Sequence, residues 1–165
     1  MKNPLYTTAV TFARCNIPHY GHVELVQKML EQAQTAEVYL STGSKNTNWD
    51  VRVLTLRHLL REAGVDLRRV KTLAARSPFE AVELTLERGA DAVVVLGEDQ
   101  SALCEKLCGA YNLGGQLNRR TNSSTRIRHL LDHGDTDAIG RVYKNDPYSV
   151  SLVTMLRKEE LAKKA

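Results

Sequence analysis

The stretch that most limits what this chain can fold into is ADAVVVLG, residues 90–97, because its apolar residues run almost without interruption. A strand with one wet face alternates between apolar and polar residues. A strand apolar on both sides needs cover on both faces, which is the condition of a parallel sheet flanked by helices. The neighbouring segments agree. LYTTAVTFA (5–13), EVYLS (37–41) and RRVKTLA (69–75) are rich in strand-forming residues. Between the first two, Val23, Val26, Met29 and Leu30 recur at helical spacing. Asp50 is a suitable N-cap for a helix carrying Val53, Leu54, Leu56, Leu59 and Leu60 and stopping at Gly64. Ser77 and Pro78 open another, which ends near Gly89. Strands alternating with helices in this way predict right-handed crossovers. The expected class is therefore α/β, a Rossmann-like parallel sheet of about five strands with helices on both faces.

Past that region, Gly114-Gly115 reads as a turn, and Ser123 or Ser124 as the cap of a helix with Ile127, Leu130 and Leu131 that runs to Gly134. A last amphipathic helix is expected from about residue 149. No internal repeat, low-complexity tract or linker interrupts the 165 residues, so a single domain over 1–165 is expected.

Composition narrows the function classes. The 42% hydrophobic and 25% charged residues are ordinary for a water-soluble domain, and no apolar run approaches the roughly 18 residues of a membrane helix. The N-terminus has no long apolar segment of the signal-peptide kind. Three cysteines, Cys15, Cys104 and Cys108, fit reduced thiols better than a disulfide framework. These readings predict a cytoplasmic protein with no membrane partner. A net charge of +4 suits anionic ligands but is too small to argue for nucleic acid, and none is expected as a partner.

In open parallel sheets ligands bind outside the carboxyl ends of the strands. Three segments fall there: FARCNIPHYGH after the first strand, STGSKNTN after the second and GEDQ after the apolar strand. In PHYGH, His19 and His22 are three residues apart at a helix start, with Gly21 between them. Unpaired N–H groups and positive potential at that end favour phosphate. The alternatives are a turn with two surface histidines, or a zinc site using Cys15, His19 and His22 at C-x3-H-x2-H. NSSTRIR (122–128) places hydroxyls and arginines at another helix start, where they could hold phosphate oxygens or simply cap a solvated helix. Lys45 has the reach of a phosphate clamp, though an exposed loop lysine is the plainer reading. Asp99, beyond Gly97, could accept from a ribose hydroxyl, help hold a metal or cap the next helix.

Taken in order, these segments resemble the nucleotidylyltransferase superfamily. FARCNIPHYGH is similar to its H-x-G-H signature, often G-R-F-x-P-x-H-x-G-H, and NSSTRIR to its I-S-S-T-x-I-R signature. VLGEDQ resembles the G-x-D strand end of nicotinamide and nicotinate mononucleotide adenylyltransferases, and Arg14 matches the arginine of the longer first signature. Ala13, Cys15, Ile17 and Asn122 depart from the commonest residues without removing a functional side chain. The resemblance implies transfer of a nucleotidyl group, from ATP by preference, to a phosphorylated acceptor with release of pyrophosphate, the best-fitting acceptor being nicotinamide mononucleotide. It implies catalytic roles for His19, His22, Lys45 and Arg128. It implies nucleotide contacts from Phe12, Ala13, Arg14, Gly21, Gly97, Asp99, Ser123, Ser124 and Thr125, with Mg2+ accompanying ATP. Superfamily members commonly assemble, so a homo-oligomer is compatible with it. Alternatives are a pantetheine-phosphate adenylyltransferase, a cytidylyltransferase for a small phosphorylated alcohol, whose signature Arg120-Thr121 faintly resembles, and a non-catalytic nucleotide-binding or assembly protein.

Overall fold

The computed structural model describes residues 5–89, 91–119 and 123–164. Ala90, Arg120, Thr121 and Asn122 lie outside the described residues, so the first position of the apolar segment and of NSSTRIR belongs to the sequence reading alone.

Five parallel strands, β1 (Tyr6–Ala13), β2 (Ala33–Ser41), β3 (Val70–Ala75), β4 (Ala92–Gly97) and β5 (Gly114–Asn118), form one sheet in the order β3-β2-β1-β4-β5. The strand order reverses between β1 and β4. Helices α1 (Tyr20–Gln32) and α2 (Trp49–Glu62) connect the first three strands, α3 (Pro78–Glu87) crosses to β4, and α4 (Ser101–Tyr111) leads to β5. Helices α5 (Ser124–Asp132), α6 (Thr136–Val142) and α7 (Pro147–Lys164) complete the described chain.

Both sheet faces are covered, as the apolar β4 requires. On one face Ala9, Val38, Leu40, Val93 and Val95 pack with α1, α2 and the C-terminal helices. On the other Val10, Tyr39, Val94 and Leu96 pack with α3 and α4. That second face also buries Glu37, whose carboxylate accepts from Thr85 and Arg88. Such a charge is tolerable in a core only when paired this way.

Several expectations need correction. β2 begins at Ala33, because its register with β1 extends down to Tyr6, so EVYLS is only its second half. The cap of α2 is Asn48, whose Oδ1 accepts from Val51 N at 3.1 Å; Asp50 instead sits in the first turn. There its charge still complements the helix end. Gly64 does stop α2, with φ +81. Gly114-Gly115 is not a turn but the start of β5, registered on Val93 and Val94. Neither glycine has open room for a side chain: a Cβ on Gly114 would come within 2.9 Å of the Tyr6 hydroxyl from β1, and one on Gly115 within 2.7 and 2.8 Å of the Cys108 and Cys104 sulfurs of α4. α6 has no counterpart in the sequence reading, although Asp135 caps it through Ala138 N. α7 starts at Pro147, two residues before the expected point.

Among the described residues no helix is long and apolar enough to cross a membrane.

Candidate active site

A cavity of about 420 Å3 opens at the carboxyl ends of β1 and β4, where the strand order reverses. That crevice is where an open α/β sheet offers its ligand site. From β1 and the segment after it the lining takes Thr11, Phe12, Ala13, Arg14, Cys15 and Asn16. The start of α1 adds His19, Gly21, His22 and Leu25. Gly97, Asp99 and Gln100 come from the end of β4, Asn118 from β5, and Ser124 and Arg128 from α5.

The histidines are fixed by the backbone they cap. His19 is the N-cap of α1: its Nδ1 accepts from Gly21 N at 3.0 Å, while His22 Nδ1 accepts from His19 N at 3.1 Å. This is a capping box in which imidazole replaces hydroxyl and carboxylate. Because each Nδ1 accepts, each proton sits on Nε2. An imidazolium would lose its cap bond and oppose the positive end of the helix, so both rings serve as neutral donors. Their centroids lie 4.0 Å apart. His19 is buried, and its Nε2–H donates to Ser124 Oγ at 3.0 Å, joining segments 105 residues apart.

The loop before α1 is bolted from behind. Arg52, 1% exposed, donates to the carbonyls of Arg14 (2.6 Å), Ser41 (2.7 Å) and Thr47 (3.0 Å). It therefore ties the ends of β1 and β2 together and places a buried positive charge behind the cavity. Asn16 accepts from Thr47 N and Oγ1, and Tyr143 Oη donates to Pro18 O at 2.7 Å, just ahead of His19. Cys15 adopts φ +52 in this turn, a conformation that costs a non-glycine residue about 1 kcal/mol or more. Burial pushes its thiol up to about 12 against the pull of Arg52, so it remains a thiol. Thr11, which lines the cavity, is 2% exposed, and its hydroxyl has no hydrogen-bond partner among the described residues.

The structure brings His19, His22, Phe12, Ala13, Arg14, Gly21, Gly97, Asp99, Ser124 and Arg128 to this one cavity. At its edge a Cβ on Gly97 would meet Asp99 Oδ1 at 2.8 Å, so a larger residue there would displace the Asp99 carboxylate. Lys45 is exposed in the loop after β2 and does not line the cavity. Ser123 is the N-cap of α5 without a side-chain cap bond, and Thr125 faces outward; neither lines it. Asn16 and Gln100 lie inside recognised segments and Asn118 just ahead of NSSTRIR, yet nothing in their own spacing marked them. The zinc alternative fails: among the described residues no three histidine, cysteine or acidic side chains come together to hold a metal.

No family model matches the chain. It is 35% identical over 136 residues to a nicotinamide-nucleotide adenylyltransferase of Pyrobaculum neutrophilum, the match spanning 72% of each chain. The enzyme of the same description from Pyrobaculum aerophilum is 33% identical over the same span. Among solved structures, the chain is similar to a bifunctional NMN adenylyltransferase/ADP ribose pyrophosphatase from Francisella tularensis complexed with AMP and a manganese ion. The TM-score is 0.72 at 16% identity, covering 95% of this chain and 52% of that one. This chain thus spans about half the length of that bifunctional protein. It is also similar to the Plasmodium falciparum nicotinic acid mononucleotide adenylyltransferase complexed with APC, with TM-score 0.67 at 14% identity and coverage of 94% and 99%. At those identities the likeness is one of fold.

Proposed function

The chain belongs to the nicotinamide-nucleotide adenylyltransferase family, and from that premise we propose that it transfers the adenylyl group of ATP to nicotinamide mononucleotide, forming NAD and releasing pyrophosphate. The observation that carries this reading at the level of the site is the 3.0 Å contact of His19 with Ser124, which joins the two signature segments at one cavity. The reading takes residues 1–165 as one nucleotidylyltransferase domain. Reduced cysteines and the absence of a membrane-length helix among the described residues support a cytoplasmic setting.

In this reaction an acceptor phosphate oxygen attacks the α-phosphorus of ATP, the bond from that phosphorus to the β-bridging oxygen breaks, and pyrophosphate leaves. A phosphate monoester has a second pKa of about 6 and is already a nucleophile at neutral pH. No general base is required, and the cavity supplies positioning and charge stabilisation instead. His22 Nε2–H and the α1 N-terminus face the α-phosphate. Arg14 addresses the acceptor phosphate. Ser124 and Arg128 hold the leaving pyrophosphate, and Arg52 adds positive potential from behind. Phe12, Ala13, Gly21 and Gly97 supply backbone and surface against the nucleotide. Ser123 and Thr125 belong to the same helix start, and Lys45 would have to reach in from its loop.

A divalent ion, Mg2+ by preference, would neutralise phosphate charge. The residues present fit that mode of binding: Asp99 lines the cavity, with no three-ligand cluster around it among the described residues, as suits an ion held largely by nucleotide phosphates and water. The deciding experiment is an activity panel of ATP and CTP against nicotinamide, nicotinate and pantetheine phosphates with Mg2+, measuring pyrophosphate. NAD formation from ATP and nicotinamide mononucleotide is expected to dominate. ATP binding without pyrophosphate release from any acceptor would overturn the reading.

A further inference from the structure

Arg128 does not stand alone at the cavity rim. Its Nε lies 2.9 and 3.2 Å from the two Glu160 carboxylate oxygens, and its Nη2 lies 2.8 Å from Oε2. This side-on contact engages one edge of the guanidinium and leaves the Nη1 edge for another anion. Glu160 is itself immobilised. Its side chain is 10% exposed and also accepts from Arg157 Nη1 at 3.0 Å, while Arg157 grips Asp132 of α5 at 2.7 and 2.8 Å. Burial alone would push the Glu160 carboxyl up, but the two arginines outweigh it and hold it below its ordinary value. It is a fixed anion.

The same stretch of α7 reaches the other side of the site. Glu159 accepts from Asn48 N at 2.9 Å, and Lys163 donates to the carbonyls of Ser44 (3.2 Å) and Asn46 (2.5 Å), either side of Lys45. One helical segment therefore braces both the loop carrying Lys45 and the helix carrying Arg128.

We propose that Glu160 is a positioning residue for nucleotidyl transfer, orienting the Arg128 guanidinium so that its open edge meets the β- and γ-phosphates of the nucleotide. The inference rests on the reading of the cavity as the triphosphate site. An arginine side chain carries about 2 kcal/mol of rotamer entropy when free, and holding it in place beforehand removes that cost from binding. Competition, in which Glu160 merely occupies the phosphate's place, is disfavoured by its second tie to Arg157: leaving Arg128 would not free it.

The test uses the full chain, with ATP and acceptor KM, kcat and the pyrophosphate KM of the reverse reaction measured separately. Glu160→Gln is expected to raise the KM for ATP and for pyrophosphate about tenfold while changing the acceptor KM little. Glu160→Asp, which keeps the charge but shortens the reach, should shift both in the same direction and serves if the glutamine variant does not fold. In an Arg128→Lys background Glu160→Gln should add nothing. Asp132→Asn, which loosens the α5–α7 contact without touching Arg128, should change the KM for ATP much less than Glu160→Gln does. The proposal is overturned by unchanged nucleotide constants in a folded Glu160 variant, by a lowered KM for ATP, which would mean competition, or by an equal effect of Asp132→Asn, which would mean general helix docking. Wild-type turnover alongside any of these leaves the functional reading intact; an inactive wild type overturns both.

Discussion

The two walls of the cavity are held in place by different means. On the β1–α1 wall the catalytic candidates His19 and His22 are oriented by backbone N–H groups within three residues of themselves. On the α5 wall Arg128 is held by Glu160 of α7, 32 residues away, and the neighbouring Lys163 of α7 pins the Lys45 loop, more than a hundred residues away and outside the cavity lining. On the proposed function, the first wall is a helix cap that also carries the chemistry. The second is an assembly of side chains whose geometry exists only once α7 has docked. Local hydrogen bonds form with the helix itself, so the first wall should tolerate changes elsewhere that the second does not.

The largest expected effect separates capping from chemistry on the first wall. His22→Ala should lower kcat about 100- to 1000-fold, the loss typical of a transition-state donor, with a much smaller change in ATP binding. His19 sharpens the point. Asparagine is a good N-cap, so His19→Asn should preserve thermal stability while losing turnover, whereas His19→Ala should also lose about 1 kcal/mol of stability. Equal activity of the asparagine variant and the wild type would reduce His19 to a cap.

Next in size is the tie that both loops share. Arg52→Met should destabilise the protein by about 3 kcal/mol, measured by denaturant unfolding, because three carbonyls lose their charged donor at once. On the second wall, Lys163→Met should raise the KM for ATP only a few-fold, about one step below the Glu160 effect, if it acts through the mobility of the Lys45 loop. An effect on the acceptor KM alone would assign that loop to the other substrate.

The smallest effect concerns how α7 is anchored at its start. Asp146 accepts from His58 Nε2 at 2.6 Å and from Ser149 Oγ at 2.7 Å. The His58 hydrogen bond, followed by that of Ser149, holds its carboxyl below the usual aspartate range. A carboxyl depressed in the folded state contributes stability that is present above the unfolded value, about pH 4, and is lost as pH falls through the folded value. Thermal unfolding as a function of pH should show Asp146→Asn less stable at pH 7 by about 1 kcal/mol, converging on the wild type in acid. Parallel curves would exclude this pair from the acid transition.

The first wall was legible because its information is local. PHYGH contains both the histidines and the backbone they cap, and β1 and β4 announce themselves by composition. The α/β class, the first four parallel strands and the cover on both faces follow from the same periodicities, whereas β5 begins on two glycines that read as a turn. The second wall was only half legible. SSTRIR marks Arg128 and Ser124, but nothing in RKEELAKK says that Glu160 rather than Glu159 will meet Arg128. Arg52 reads as one more polar residue on a helix and turns out to be among the most buried side chains. Gly114-Gly115 carries the composition of a turn, and only the Tyr6 hydroxyl crowding Gly114 and the two sulfurs of α4 crowding Gly115 explain why a strand there carries glycine.

The sequence by itself thus determined four of the five strands, the alternation of strand and helix, and the residue types gathered at the strand ends, since hydrophobic period and capping act within a few residues. The tertiary structure decided which cations face the cavity and what holds them. It left Lys45 outside the lining and set Arg128 against Glu160, because ion pairs and buried donors depend on distances between elements that no local pattern encodes.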